Sequence, residues 1–129
     1  MYVLGILEMD AQHEAIAKVV ETLQEVASNA SQRMQIHPTL KRLNELLSAH
    51  FSAEEAFMAM ISYSDIDQHK KNHRALMKLF AHYFDHPPAP AEHEYLCKHI
   101  GDSILGHVKN EDAKLTESFQ EISRHLVYQ

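Results

Sequence analysis

Tryptophan is absent from the chain, cysteine occurs once, and only three glycines and four prolines interrupt its 129 residues. A lone cysteine, Cys97, cannot close an internal disulfide, so packing alone must hold the fold, in keeping with a reducing cytoplasm. Cys97 reads as a small packing residue rather than a nucleophile. No apolar run approaches the ~20 residues that cross a bilayer. The first ten residues carry neither a basic start nor a cleavage site, so neither secretion nor membrane insertion is expected. Positive charge is scarce as well: 12 Lys and Arg stand against 18 Asp and Glu, giving a formal charge of −6. Without a basic patch, nucleic acid is not an expected partner. The length predicts a single domain, residues 1–129, with a core that needs no staples.

Histidine is what the chain has in excess, eleven of them, and it is the commonest side-chain metal ligand. The spacing carries the information. His50 with Glu54, and His69 with His73, are each four residues apart. On an α-helix that leaves two side chains about 40° apart in azimuth and about 6 Å apart along the axis. Between the pairs, Ser62-Tyr63-Ser64-Asp65 predicts a helix break, with Ser64 or Asp65 as the next N-cap. The stretch therefore reads as a helical hairpin whose pairs sit about 16 Å and about 12 Å from the turn. They are nearly level and can face one interior. A single histidine pair usually decorates a solvated helix face; two level pairs, one with a carboxylate, make a metal-site geometry.

Around this hairpin the pattern is all-α. Residues 1–9 read as an N-terminal arm and Asp10 as the N-cap of a first helix reaching about Asn29. Ile16, Val19, Val20, Leu23, Val26 and Ala27 form its buried stripe, and His13 faces inward with them. After a connection at Ser28-Asn29-Ala30-Ser31, Pro38 fits the first position of a second helix. Its face runs Leu40, Leu43, Leu46, Leu47, His50, Phe51, Glu54, Phe57, Met58 and Ile61, a leucine stripe that turns into ligands halfway. Met58 and Met60 are expected to fill the core. A third helix over 65–84 turns Ile66, His69, His73, Leu76, Leu79, Phe80 and Tyr83 inward. His82 and His86 are left on the surface near its C-terminus, where the helix dipole favours positive charge. Pro87-Pro88-Ala89-Pro90 ends it. A fourth helix from about Ala91 is expected to bury Tyr95, Ile100, Ile104, His107, Val108, Asp112, Leu115, Phe119, Ile122 and Leu126. Gly101 and Gly106 weaken it by roughly 1 kcal/mol each. Four helices with short joins predict an up-down-up-down four-helix bundle.

Measured from the Pro-rich turn, the midpoint of His69 and His73 lies about 25 Å down the third helix, and His107 about 28 Å down the fourth. His13 opens the first helix at the same end. All four helices thus bring ligand-type residues to one layer, where a buried Glu54 and Asp112 would be costly without a cation. Five imidazoles and two carboxylates are too many for one ion and suit two ions bridged by the carboxylates. Nitrogen and oxygen donors without thiolate favour iron, manganese, zinc or copper. The Glu-x-x-His pattern of ferritin-like sites does not occur.

Four segments, Met-Asp-Ala-Gln-His (9–13), His-Phe-Ser-Ala-Glu-Glu (50–55), His-Lys-Lys-Asn-His (69–73) and His-Val-Lys-Asn-Glu-Asp (107–112), resemble the hemerythrins, particularly the bacterial ones. All seven ligand positions occur in order, and the resemblance spans about residues 5 to 116. It implies two non-haem irons. One takes His69, His73 and His107, the other His13 and His50, and Glu54 and Asp112 bridge them, with an oxo or hydroxo group as a further bridge. The second iron then keeps an open position for dioxygen or a small anion. Three positions concern the dioxygen pocket. Phe51 matches the family; Leu76 replaces a common Phe, and Ser103 replaces a common Trp beside the open iron. The pocket is therefore expected to be roomier and more polar than a carrier's.

After Asp112, Leu115, Phe119, Ile122 and Leu126 keep the helical rhythm without a Gly or Pro to stop it. Either these turns pack on the N-terminal arm, or the helix continues into a C-terminal signalling output domain such as a nucleotide cyclase or a chemotaxis stalk. The expected function is dioxygen or redox sensing in a bacterial signalling protein. Storage or delivery of dioxygen is the alternative, and a di-iron oxidase or peroxidase ranks third. No acid, base or nucleophile beyond the ligands stands out, so the domain itself is not expected to be an enzyme.

Overall fold

In a computed structural model, which describes the backbone of residues 7–127 and the side chains of residues 9–124, the apolar stripes become four packed rods. Helix α1 spans Leu7–Ala27, α2 Ile36–Met60, α3 Ile66–Asp85 and α4 His93–His107. A π-helical turn, Val108–Asp112, joins α4 to α5, Ala113–Val127, with helical dihedrals on both sides. The fourth rod is therefore α4 and α5 together. Helix α1 packs on α2 and α4, and α3 packs on the same two, which is the ring of neighbours of an up-down-up-down bundle.

Several boundaries differ from the sequence expectation for physical reasons. Asp10 does not cap α1; the helix begins at Leu7, because Met9 is buried with Phe57, Met58 and Leu115 and carries the helix past it. Residues 1–6 of the expected arm lie outside the described residues. Helix α2 likewise starts early, at the buried Ile36, after a 3-10 helix over Ala30–Gln35. The Asn29 side chain accepts the Ser31 N–H at 3.0 Å at the head of that 3-10 helix. Pro38 falls in the first turn of α2, where its missing N–H has no intrahelical role.

The α2–α3 join is more specific than a polar break. Ser62 takes φ 53°, its N–H donates to Ala59 O at 3.2 Å, and the Tyr63 N–H donates to Met58 O at 2.9 Å. These are the two bonds of a Schellman motif, and Tyr63 and Met58 share one apolar cluster, completing it. Asp65 occupies the N-cap position of α3, but its side chain makes no capping bond.

Two residues expected inside are outside. Met60 is 75% exposed, since it lies about 200° around α2 from the buried Met58. Tyr95 is 76% exposed and stacks on His99 with ring centroids 6.4 Å apart. The buried stripe of α4 is Cys97, Ile100, Ile104 and His107, and Tyr95 is on the other face. Leu126 lies outside the described side chains. His82 and His86 are exposed and stack on each other. Cys97 is buried, and burial pushes its thiol up to about 11, leaving it un-ionised at neutral pH and inert as a nucleophile.

The core is split in two. One cluster holds Ile16, Leu47, Phe51, Leu76 and Ile104 among others; the second holds Met9, Phe57, Met58, Tyr63 and Leu115. Every rod passes from one cluster to the other, and on every rod the crossing point is its histidines and acids. The glycines of α4 differ in kind. A Cβ at Gly101 would meet Gln24 Nε2 at 3.0 Å and Val20 Cγ1 at 3.2 Å, so α4 and α1 approach closely there, whereas a Cβ at Gly106 meets nothing within 4 Å. Gly106→Ala should therefore gain the helix propensity difference of about 1 kcal/mol, raising the melting temperature by about 4 °C. Gly101→Ala should gain less or lose stability, because Val20 must move. Thermal unfolding followed by circular dichroism checks this, and equal gains at both positions would contradict the close approach.

Candidate metal centre

The layer between the two clusters contains His13 from α1, His50 and Glu54 from α2, His69 and His73 from α3, His107 at the end of α4, and Asp112 from the π turn, all buried. Glu54 Oε1 lies 2.6 Å from His69 Nε2 and 3.0 Å from His73 Nε2. Its other oxygen, Oε2, lies 3.2 Å from His50 Nε2 and 3.9 Å from His13 Nε2. Asp112 divides itself in the same way: Oδ1 is 3.2 Å from His107 Nε2 and 3.3 Å from His69 Nε2, while Oδ2 is 3.2 Å from His13 Nε2. Each carboxylate therefore offers one oxygen to a three-histidine half and the other to a two-histidine half. The donor atoms of His69, His73, His107, Glu54 and Asp112 lie within 4.8 Å of one another, and so do those of His13, His50, Glu54 and Asp112.

This arrangement fits two cations. His50 Nε2, His107 Nε2, Glu54 Oε2 and both carboxylate oxygens of Asp112 are buried without a hydrogen-bond partner. Orphaned buried polar atoms are costly, and these converge on the two halves instead of being scattered. Two ions, each taking nitrogen donors from one half and an oxygen from each acid, would satisfy them together. Only oxygen and imidazole nitrogen are offered, a donor set suited to iron.

The π turn explains how His107 and Asp112 meet. Five residues along a straight α-helix advance about 500°, leaving the two side chains about 140° apart. One turn wound with i→i+5 bonds brings the fifth residue back under the first. The other pairs, four residues apart, need only ordinary helix.

Phe51 lies face to face with His73, ring centroids 3.8 Å apart and 8° between planes, and edge-on to His107 at 5.6 Å. Leu76 and Ser103 share the wall of a cleft of about 280 Å³ with Asn72, Gly106, His107 and Glu111. That cleft reaches His107 of the three-histidine half, while Phe51 lines a separate cleft with Glu55 and His73. Three neighbours of the layer are not among the seven ligand positions. Gln12 Oε1 lies 2.8 Å from His50 Nδ1, Glu55 Oε2 lies 2.9 Å from His73 Nδ1, and the Tyr63 ring stands edge-on to His69 at 6.3 Å. Gln12 and Glu55 each adjoin a layer residue in sequence, which is the one hint that could have found them.

Burial opposes charge on His13 and His69, yet Asp112 and Glu54 outweigh it and hold each imidazole at about 9. Burial likewise favours the neutral form of Glu54, but His13, His50, His69 and His73 draw it far below the carboxylate range. Asp112 is brought down to about 2 against its burial, by His107, His13 and His69. In the metal-free layer at pH 7, Glu54 and Asp112 are thus ionised and His13 and His69 protonated.

Metal ions need neutral imidazoles, so loading at pH 7 should release about two protons per chain, from His13 and His69. Calorimetry in buffers of different ionisation enthalpy measures this, and no proton release would contradict it. For the metal-free chain, the raised histidines contribute stability that is complete below their ordinary value of 6.5 and lost as pH rises through about 9. The depressed acids contribute stability present above their ordinary values of 3.8 and 4.5 and lost as pH falls toward 2. Its melting temperature should therefore fall on both sides of a maximum near pH 5 to 6.

The Hemerythrin HHE cation binding domain family matches residues 4–118. The chain is 28% identical over 107 residues to the myohemerythrin of Theromyzon tessulatum, covering 83% of this chain and 79% of that protein. It is 25% identical over 115 residues to the bacteriohemerythrin of Campylobacter jejuni, covering 88% of this chain and 86% of that protein. No solved structure matches it at the same stringency. The match runs from ahead of α1 into α5 and takes in the whole histidine–carboxylate layer, and the chain accordingly belongs to the hemerythrin family, a domain that binds two iron ions.

Proposed function

We propose that this chain is a dioxygen-binding di-iron domain that reports oxygen or oxidation state to an output module C-terminal to it. His69, His73 and His107 would hold one iron and His13 and His50 the other, with an oxygen of Glu54 and of Asp112 available to each. Two ferrous ions there would supply reversible binding of dioxygen. The chain's own residues set the conditions for it. Five neutral imidazoles and two carboxylates leave a net charge of about +2 on two divalent ions, which attracts a small anion or a ligand that draws electron density. The apolar clusters above and below keep bulk water from the layer. Among the described residues no helix is long and apolar enough to cross a membrane, and we place the domain in the cytoplasm.

The observation that carries the sensing role is the π turn. His107 precedes it, Asp112 closes it, and α5 begins at the next residue. Any change in how the centre holds Asp112 acts on a turn wound one residue wider than its neighbours. Reversion of that turn to α-helix rotates everything after it by about 100° and shifts it by about 1.5 Å. The coupling requires that the two states of α5 differ in free energy with the state of the centre. Storage or delivery of dioxygen is the second reading, favoured by the complete set of seven buried ligand-type residues in the layer.

Amide hydrogen exchange over residues 113–127, compared between the reduced and oxidised iron-loaded protein, separates the two. Sensing predicts protection that differs between the states and is greatest near residue 113. Identical protection throughout α5 would leave storage as the function.

A further inference from the structure

The hydrogen bonds on the outer faces of the imidazoles divide the layer unequally. His73 turns Nε2 toward Glu54 Oε1 at 3.0 Å and presents Nδ1 to Glu55 Oε2 at 2.9 Å. His50 is fixed the same way round, Nε2 toward Glu54 Oε2 at 3.2 Å and Nδ1 toward Gln12 Oε1 at 2.8 Å. His69 Nδ1 is buried with no hydrogen-bond partner. Both bonds cross between helices: Glu55 of α2 reaches His73 of α3, and Gln12 of α1 reaches His50 of α2. One acceptor is an anion and the other a neutral amide. A hydrogen bond to an ionised acceptor is about twice as strong as one between neutral groups, and a carboxylate behind an imidazole raises its strength as a metal donor. Glu55 is one-third exposed. It lies in a cleft of about 400 Å³ between α2 and α3, with Ser52, Arg74 and Lys78.

We propose that Glu55 and Gln12 are positioning residues that make the two halves of the centre unequal. The Glu55 carboxylate, accepting from His73 Nδ1–H, strengthens His73 as a donor and favours tighter metal binding and the oxidised state in the three-histidine half. Gln12 fixes the His50 ring without adding charge, so His50 is the weaker donor of the two. The inference rests on the proposed ligand assignment, with His73 in one half and His50 in the other. Only the partner behind the imidazole is at issue, so substitutions at 12 and 55 change no ligand.

The test uses the iron-loaded full chain and three variants. Glu55→Gln keeps an acceptor at His73 Nδ1 and removes the charge, Glu55→Ala removes both, and Gln12→Glu adds charge behind His50. The expected result for Glu55→Gln is roughly a 10- to 100-fold loss of affinity for one of the two ions, with a higher reduction potential and an unchanged melting temperature of the metal-free protein. Glu55→Ala should lose at least as much affinity. Gln12→Glu should shift the potential the other way and tighten the binding of the other ion. A Glu55→Gln variant with two irons and parent-like affinity and potential overturns the proposal, as does a Gln12→Glu variant that moves neither. A His73→Ala variant that still binds two irons with parent affinity would instead overturn the ligand assignment beneath it, so the two failures are distinguishable.

Discussion

Glu54 and Asp112, each 0% exposed, face one another's histidines across the middle of a helical bundle, and the rest of the molecule is arranged around that fact. Isolated buried carboxylates cost several kcal/mol each even after relaxation. Here each is surrounded by imidazoles on both sides, and its two oxygens are shared between the two halves of the layer. Removing the charge of either acid would leave the His13 and His69 cations with a single carboxylate between them. The acids therefore need the histidines as much as any metal does, and this explains why polar residues interrupt the core at one level on every rod.

The two apolar clusters follow from the same constraint. A continuous hydrophobic core cannot pass through a layer of charges, so the core divides into one group around Leu23, Leu43, Phe80 and Ile100 and another around Met58 and Leu115. The larger cluster holds the bundle together. The smaller one seats the beginning of α1, the α2–α3 turn and the first turns of α5, with the Phe57 and Phe119 rings in edge contact at 5.3 Å. The segment after the π turn is thus anchored at its start by Leu115 and Phe119.

Much of this was legible in the sequence, because the pairs His50/Glu54 and His69/His73 obey the four-residue spacing of an ordinary helix and lie on either side of one turn. The stripes of α1, α2 and α3 were legible for the same reason. What escaped was whatever departs from a straight α-helix. The five-residue step from His107 to Asp112 cannot share one α-helical face, and its resolution by a π turn depends on the centre itself. The Schellman closure at Ser62 depends on Met58 and Tyr63 meeting in space, and the early start of α1 on Met9 finding a cluster supplied by other helices. Tyr95 and Met60 are the opposite case: both are large side chains of core character, and helical phase puts both on the solvent face. Glu55 and Gln12 were hidden because their role lies across a helix pair, in the second nitrogen of each imidazole.

Sharing of Glu54 and Asp112 by two ions fixes how much iron the chain can hold, which is counted after anaerobic loading with ferrous iron and removal of the excess. Two irons per parent chain are expected and at most one in Glu54→Ala, because that substitution removes an oxygen from each half at once. A parent chain that holds a single ion, or a Glu54→Ala variant that still holds two, would contradict it.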